Sequence, residues 1–152
     1  MDQSAALERC YVQQHDRLWR ALLLFSADPD VASDAVAEAF AQALRRGDSI
    51  RDLDRWVWKS AFAIARGELQ HHSRNETIRE TSYDMPAPPV DVIRALESLS
   101  PKQRASIVLH HYAGYSTKET AAIIGSTAPA VGVHLQRARS RLRNLLKEHE
   151  DV

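Results

Sequence analysis

Arg137, Arg139, Arg141, Arg143 and Lys147 crowd one short span of the chain that holds no acidic residue. Guanidinium and ammonium groups massed in this way suit one task above others, the displacement of counterions from a phosphate backbone. Their placement is ordered. Val131, Leu135, Ala138, Leu142 and Leu145 recur at spacings of four and three, the stripe of a helix with one buried side. Arg137, Arg139 and Arg141 flank that stripe, and Arg143 and Lys147 lie nearer the opposite face. Charge alone does not assign a partner, because cations late in a helix also favour the negative end of its dipole.

The residues just before supply the rest. Ser116 with Glu119 matches a capping box, in which each side chain satisfies a backbone N–H that the first helical turn leaves unpaired. The apolar run Ala121, Ala122, Ile123, Ile124 stops at Gly125, which can take the positive φ of a tight turn. Ser126 or Thr127 can cap the next helix, and Pro129 fits its first turn, where a missing donor costs little. A short helix, a glycine turn and a basic second helix make a helix-turn-helix, so duplex DNA is the expected partner.

Other chemistry finds little support. The pairs His71-His72 and His110-His111 are adjacent, so their side chains diverge on a helix and lack the i, i+4 geometry of a metal site. There is no glycine-rich phosphate cradle and no nucleophile motif. No enzyme activity, metal or cofactor is expected. Cys10 is the only cysteine, which excludes an intrachain disulfide, and its helical spacing with Leu7, Gln14 and Leu18 makes it a small core side chain.

The chain has 152 residues, 44% apolar and 26% charged, the proportions of an ordinary soluble globular protein. No apolar run approaches the ~20 residues that span a bilayer, and Met1-Asp2-Gln3-Ser4 lacks a secretion pattern, so a cytoplasmic protein without a membrane partner is expected. The net charge is zero, but its distribution is uneven. From Lys102 to Lys147, Glu119 is the only acidic residue among eight basic ones, whereas Met1 to Glu80 carries thirteen acidic and eleven basic residues. One half can meet DNA while the other meets something else.

No β-type alternation occurs, and the reading is all-α: two small helical domains joined by a Pro-rich linker, the C-terminal one a four-helix domain containing the helix-turn-helix. The first helix runs from about Ala5 to Phe25, with Leu7, Tyr11, Leu18, Leu22 and Phe25 on one face. Asp28-Pro29 opens a second, near Pro29 to Arg46, with Val36, Phe40 and Leu44 inside and an end before Gly47. After a polar loop, Gly47 to Asp52, the third spans about Leu53 to His72 on Trp56, Val57, Ala61, Ile64 and Leu69. These helices form the domain 1–80. Residues 81–89, with three prolines near their end, form the linker. The domain 90–152 begins with a short helix carrying Val92, Ile93, Leu96 and Leu99, followed by the cap Ser100-Pro101-Lys102-Gln103 and a helix with Ile107, Val108 and Tyr112.

In order along the chain, Leu96-Glu97-Ser98-Leu99-Ser100-Pro101-Lys102-Gln103-Arg104, Tyr112-Ala113-Gly114-Tyr115-Ser116, Glu119-Thr120-Ala121, Gly125, Val131 and Arg137-Ala138-Arg139 resemble the DNA-binding C-terminal domain of sigma-70 family transcription initiation factors. The run from Asp28 to Phe40 resembles that family's polymerase-docking segment, and Trp56-Val57-Trp58-Lys59 with Ile64-Ala65-Arg66 its promoter-opening helix. Two domains and a short linker are the layout of the small extracytoplasmic-function group.

The resemblance implies a sigma factor that binds core RNA polymerase and promoter DNA, with an anti-sigma factor as a further partner. Ser126, Thr127, Ala130 and Gln136 would lie nearest base edges of the minus-thirty-five element, with Arg137, Arg139 and Arg141 beside them on the DNA. A base of the melted minus-ten strand would enter a pocket around the Gly47 to Asp52 loop, which carries Ser49. Trp58, Lys59, Arg66 and His71 would follow that strand, with Trp56 left to the core. Asp30, Asp34, Ala37, Glu38 and Phe40 would face polymerase. Gly132, Val133 and His134 stand where the family commonly has basic residues, which implies a weak direct grip on the upstream element. Two other readings share these features: a free-standing helix-turn-helix regulator, and a sigma-like adaptor that occupies polymerase or an anti-sigma factor without reading a promoter.

Overall fold

Capping and turn chemistry sets several of the helix boundaries in the computed structural model, which describes residues 3–71 and 88–150. Helix α1 covers Gln3–Ser26 and ends where Ala27 takes a left-handed φ of 59°. The Asp28 carboxylate accepts from the N–H groups of Asp30 and Val31 at 2.9 and 3.4 Å, and Pro29 opens α2, Pro29–Arg46. Gly47, at φ 62°, closes it, and one 3₁₀ turn over 47–49 leads to α3, Leu53–His71. In the second half come α4, Val90–Glu97, and α5, Pro101–Ile107. Helix α5 widens into a π-turn, Val108–Tyr112, before α6, Thr117–Ile124, and α7, Ala128–Glu150. Among the described residues every element is helical. Of the expected linker, 81–87 lie outside the described residues.

The three N-terminal helices pack on one another, and α5, α6 and α7 form the second bundle. The buried side chains of both belong to one continuous cluster that includes Leu18, Leu22, Phe25, Val36, Trp58, Ile93, Leu109, Ile123 and Val131. Burying a residue of this size stabilises by about 1.5–3 kcal/mol, so apolar contact dominates the assembly. Cys10 lies in the same core, and burial pushes its thiol pKa up to about 12.

Polar contacts tie the halves together. Arg104 donates to the carbonyls of Leu96, Leu99 and, across the junction, Phe25 at 3.1, 3.1 and 2.7 Å. Its burial lowers its pKa, partly offset by Glu97. Arg17 donates to the Ala113 carbonyl, and Arg20 Nε to the Tyr112 hydroxyl at 3.0 Å. The Trp58 and Tyr115 rings meet edge to face at 5.4 Å.

Three core assignments need correction. Leu44 is 66% exposed, because Ala43 takes the last inward position of α2. Tyr11 is 47% exposed; its ring lies over the edge of Phe40 at 5.0 Å, on the rim of the core. The tryptophans exchange roles: α3 turns Val57, Trp58, Ala61, Phe62 and Ala65 inward, which leaves Trp58 at 0% exposure and Trp56 half-buried on the flank.

Candidate nucleic-acid interface

The helix-turn-helix forms as its residues dictate. Ser116 Oγ accepts from the Glu119 N–H at 3.0 Å, and Glu119 Oε1 accepts from the Ser116 N–H at 3.0 Å. Gly125 is left-handed, φ 69° and ψ 43°, which turns the chain between α6 and α7. Of the two candidate caps, Thr127 takes the role, its hydroxyl accepting from the Ala130 N–H at 3.3 Å. Val131, Leu135 and Ala138 seat α7 on the core, with Leu142 partly buried below them.

The remaining faces of α7 divide into two flanks. At 100° per residue, Ala130, His134, Arg137 and Arg141 share one side, and Gly132, Gln136, Arg139 and Arg143 the other, with Val133 and Ser140 between them. Gln136, Arg137, Arg139 and Arg141 are exposed, while Ser126 and Ala130 are half-buried at the turn and Thr127 is exposed. Cations on either side of a central strip suit contact with both walls of a groove. His134 is half-buried, and burial, Lys102 and Arg137 in that order hold its pKa below the usual imidazole range.

On α3, Lys59 is exposed, but the Arg66 guanidinium donates to the Ile124 carbonyl of α6 at 3.0 Å. Trp58 cannot serve as a stacking platform in this arrangement, because its ring is enclosed and its indole N–H donates to Gln14 Oε1 at 2.9 Å. The accessible ring is that of Trp56, with the Arg46 guanidinium 5.7 Å from its centroid beside the loop that carries Ser49. Ser49 is exposed and donates to the Arg46 carbonyl at 3.1 Å. The side chain of His71 lies outside the described residues.

The acidic residues of α2, Asp30, Asp34 and Glu38, form an exposed row together with Ala37. Gln42 and Arg45 hydrogen-bond the Glu38 carboxylate at 3.1 and 2.9 Å and lower its pKa, the amide contributing most. Phe40 is buried, but it borders an open apolar groove with Leu7, Tyr11, Ala41 and Leu44. The groove residues of α1 and α2 share the helical spacing of the core, so periodicity alone does not separate groove from core. The Arg46–Trp56 pair was missed altogether, since its partners lie on separate helices.

Fold and surface together define a helical DNA-binding protein with a helix-turn-helix at its C-terminal end. Residues 90–142 match the family model "Sigma-70, region 4". An RNA polymerase sigma-E factor of Streptomyces antibioticus is 39% identical over 136 residues, 81% of this chain and 74% of that protein. Its namesake in Streptomyces coelicolor is 31% identical, covering 88% and 81% respectively. The ECF RNA polymerase sigma factor SigL of Mycobacterium tuberculosis is 29% identical over 95% of this chain and 91% of its own. The fold also matches the solved sigma factor RpoE in complex with the anti-sigma factor NepR from Bartonella quintana. That likeness has 24% identity and a TM-score of 0.75 over 92% of this chain and 96% of that one. CnrH, solved with the cytosolic domain of CnrY, gives 23% identity and 0.74 over 95% and 90%. The chain belongs to the sigma-70 family of RNA polymerase sigma factors, in the extracytoplasmic-function group.

Proposed function

We propose that this sigma factor divides its work between domains 1–80 and 90–152, joined by residues 81–89, one half serving polymerase and the melted strand and the other the upstream element. It directs transcription initiation by core RNA polymerase at promoter DNA. It has no catalytic role and acts in the cytoplasm, where polymerase works; among the described residues no helix is long and apolar enough to cross a membrane. The acidic row Asp30, Asp34 and Glu38, with Ala37 and the groove beside Phe40, faces polymerase. In α7, Gln136 and Ala130 with Ser126 and Thr127 meet base edges, and Arg137, Arg139 and Arg141 meet phosphate. Lys59 and Arg66 hold the melted strand near Ser49 and His71, and Trp56 replaces Trp58 as the stacking ring.

The observation that carries this reading is the capped α6, left-handed Gly125 and α7 with exposed cations on both flanks. An anti-sigma factor is proposed as a further partner, supported by the solved structure of like fold in which the sigma factor RpoE is in complex with the anti-sigma factor NepR. A second reading, the polymerase-bound adaptor, is favoured by Gly132, Val133 and half-buried His134, which leave the start of α7 without a cation.

Reconstitution with core RNA polymerase and transcript mapping from a genomic DNA pool separates the readings. New start sites sharing an upstream motif are expected. Polymerase binding without transcripts would favour the adaptor, and tight duplex binding with no affinity for polymerase would favour a free-standing regulator.

A further inference from the structure

Arg139 differs from the other cations proposed to meet the upstream DNA. Among the described residues the Arg137 and Arg141 side chains hold no hydrogen bond, whereas Arg139 is engaged by His111. Arg139 Nε and Nη2 lie 3.2 and 3.1 Å from a single acceptor, His111 Nε2. A guanidinium only donates, so this contact requires Nε2 without a proton, and hence a neutral ring. The Nε and Nη2 edge is also one of the two edges that fork onto phosphate, so it cannot serve both partners at once.

The π-turn Val108–Tyr112 creates the arrangement. Its wide bond, Ala113 N–H to the Val108 carbonyl at 2.9 Å, breaks the α-helical register, and such turns recur at functional positions. His110 turns back, its Nδ1 2.8 Å from the Tyr115 carbonyl, which can only accept, so Nδ1 carries the proton. His111 turns out toward α7, its ring edge-on to that of His110 at 4.9 Å. The groups acting on His111 are Arg139 from α7 and His110 from its own segment; burial contributes most, and all three disfavour its charged form.

We propose that His111 is a positioning residue that withholds Arg139 from the DNA backbone while neutral and releases it on protonation, so that upstream grip strengthens as pH falls. The proposal rests on the reading of α7 as the DNA-contacting helix. The sign follows from linkage. Protonated Nε2 becomes a donor, the contact is lost, and two cations then face the phosphates in place of a self-bonded pair. Phosphate beside His111 favours its charged form, so binding takes up at most one proton, a change of no more than about tenfold per pH unit.

The test uses the full chain and a mixed-sequence 30-base-pair duplex, with anisotropy measured across salt at pH 5.5 and 7.5. At pH 7.5, His111→Ala should raise affinity several-fold and steepen the salt slope by about 0.9, the value of one added phosphate contact. Adding Arg139→Ala to that variant should restore the wild-type slope. His111→Gln, whose carbonyl still accepts but does not titrate, should keep the wild-type slope at pH 7.5 and lose its steepening at 5.5. His134→Gln should keep that steepening. If His111→Ala leaves the slope unchanged while Arg137→Ala weakens binding, the proposal is overturned and the DNA reading stands. If neither variant alters binding, the reading of α7 itself falls. An NMR titration of His111 needs no DNA: Arg139→Ala should raise its pKa, and an unchanged value would overturn the contact.

Discussion

Arg66 of α3 reaches across the junction to the carbonyl of Ile124, the last residue of α6, at 3.0 Å. That carbonyl is one of the four a helix leaves without an internal partner, at the negative end of its dipole, so the cation is well placed. The same side chain is proposed to hold the melted strand, and a strand phosphate that takes the Nη1 donor has to displace the Ile124 carbonyl. Arg55 with Glu119 at 3.0 Å, and Arg20 with Tyr112, tie the halves in the same sense. We expect strand binding that takes this donor of Arg66 to be coupled to separation of α3 from α6.

Two groups of substitutions should move strand affinity in opposite directions. Arg66→Ala removes a contact and should weaken binding of a single-stranded minus-ten oligonucleotide by about 1 kcal/mol, roughly fivefold. Tyr112→Phe and Glu119→Gln sit on the other half and only loosen the clasp; Gln can still complete the capping box. Both should strengthen strand binding, with a longer mean distance between dyes on the two halves. If they weaken it as Arg66→Ala does, the coupling is absent.

Trp56 and Trp58 should separate by assay. Trp58→Ala empties a wholly buried site and should cost about 3–5 kcal/mol in chemical denaturation. Trp56→Ala should leave most stability intact, yet lose about 1–3 kcal/mol of strand binding as the stacking ring disappears. Equal stability losses would mean that the Trp56 ring is as much core as its neighbour.

Local chemistry was the legible part of the sequence. Helix α2 runs Pro29–Arg46 as expected, because Asp28, Pro29 and Gly47 each act on their own backbone. The boxes at Ser100 and Ser116 formed for the same reason. What depended on a partner helix was not legible. Periodicity admits either Trp56 or Trp58 as the inward ring of α3, and only the position of α1, whose Gln14 receives the Trp58 indole N–H, decides. Nothing in the sequence marks Arg17 and Arg20, since their partners at Ala113 and Tyr112 lie in the other half. The π-turn left no signature, being one extra residue within a run that reads as ordinary helix.

The turn between α6 and α7 gives a sharper test of the motif. Gly125→Ala must hold a Cβ at φ 69°, a strain of about 1–2 kcal/mol, although nothing within 4 Å would obstruct it. Ser116→Ala loses the cap of α6 and should cost about 1 kcal/mol. Both should lower the melting temperature without changing polymerase affinity, since the proposed docking row lies on α2. A fall in polymerase affinity matching the loss in upstream DNA binding would place that contact elsewhere.

Arg137→Ala should weaken upstream binding evenly across sequences and flatten its salt dependence by about one phosphate contact, whereas changes at Gln136 or Ala130 should shift base preference. The comparison requires a library of duplexes presented to the holoenzyme. A sequence-selective loss for Arg137→Ala would instead move that side chain to a base edge.

Stability should fall with acid in two steps. Folding lowers the pKa of Glu119 through the Ser116 N–H and hydroxyl and then Arg55, and that of Glu38 through Gln42 and then Arg45. Burial first, then neighbouring cations, lowers His111 and His134. In all four the unfolded chain binds protons more readily, so stability rises with pH. The histidine contribution is complete above the ordinary value of 6.5 and is lost as pH falls toward the lower folded values. The carboxylate contribution is complete above 4.5 and is lost below it in the same way. Calorimetric melting temperatures from pH 8 to 3 should therefore show a shallow decline beginning near 6.5 and a further one below 4.5. His111→Gln with His134→Gln should remove the upper step, and Glu119→Gln should reduce the lower. A melting temperature level between pH 7 and 5 in the unaltered chain would show that neither histidine is perturbed by folding.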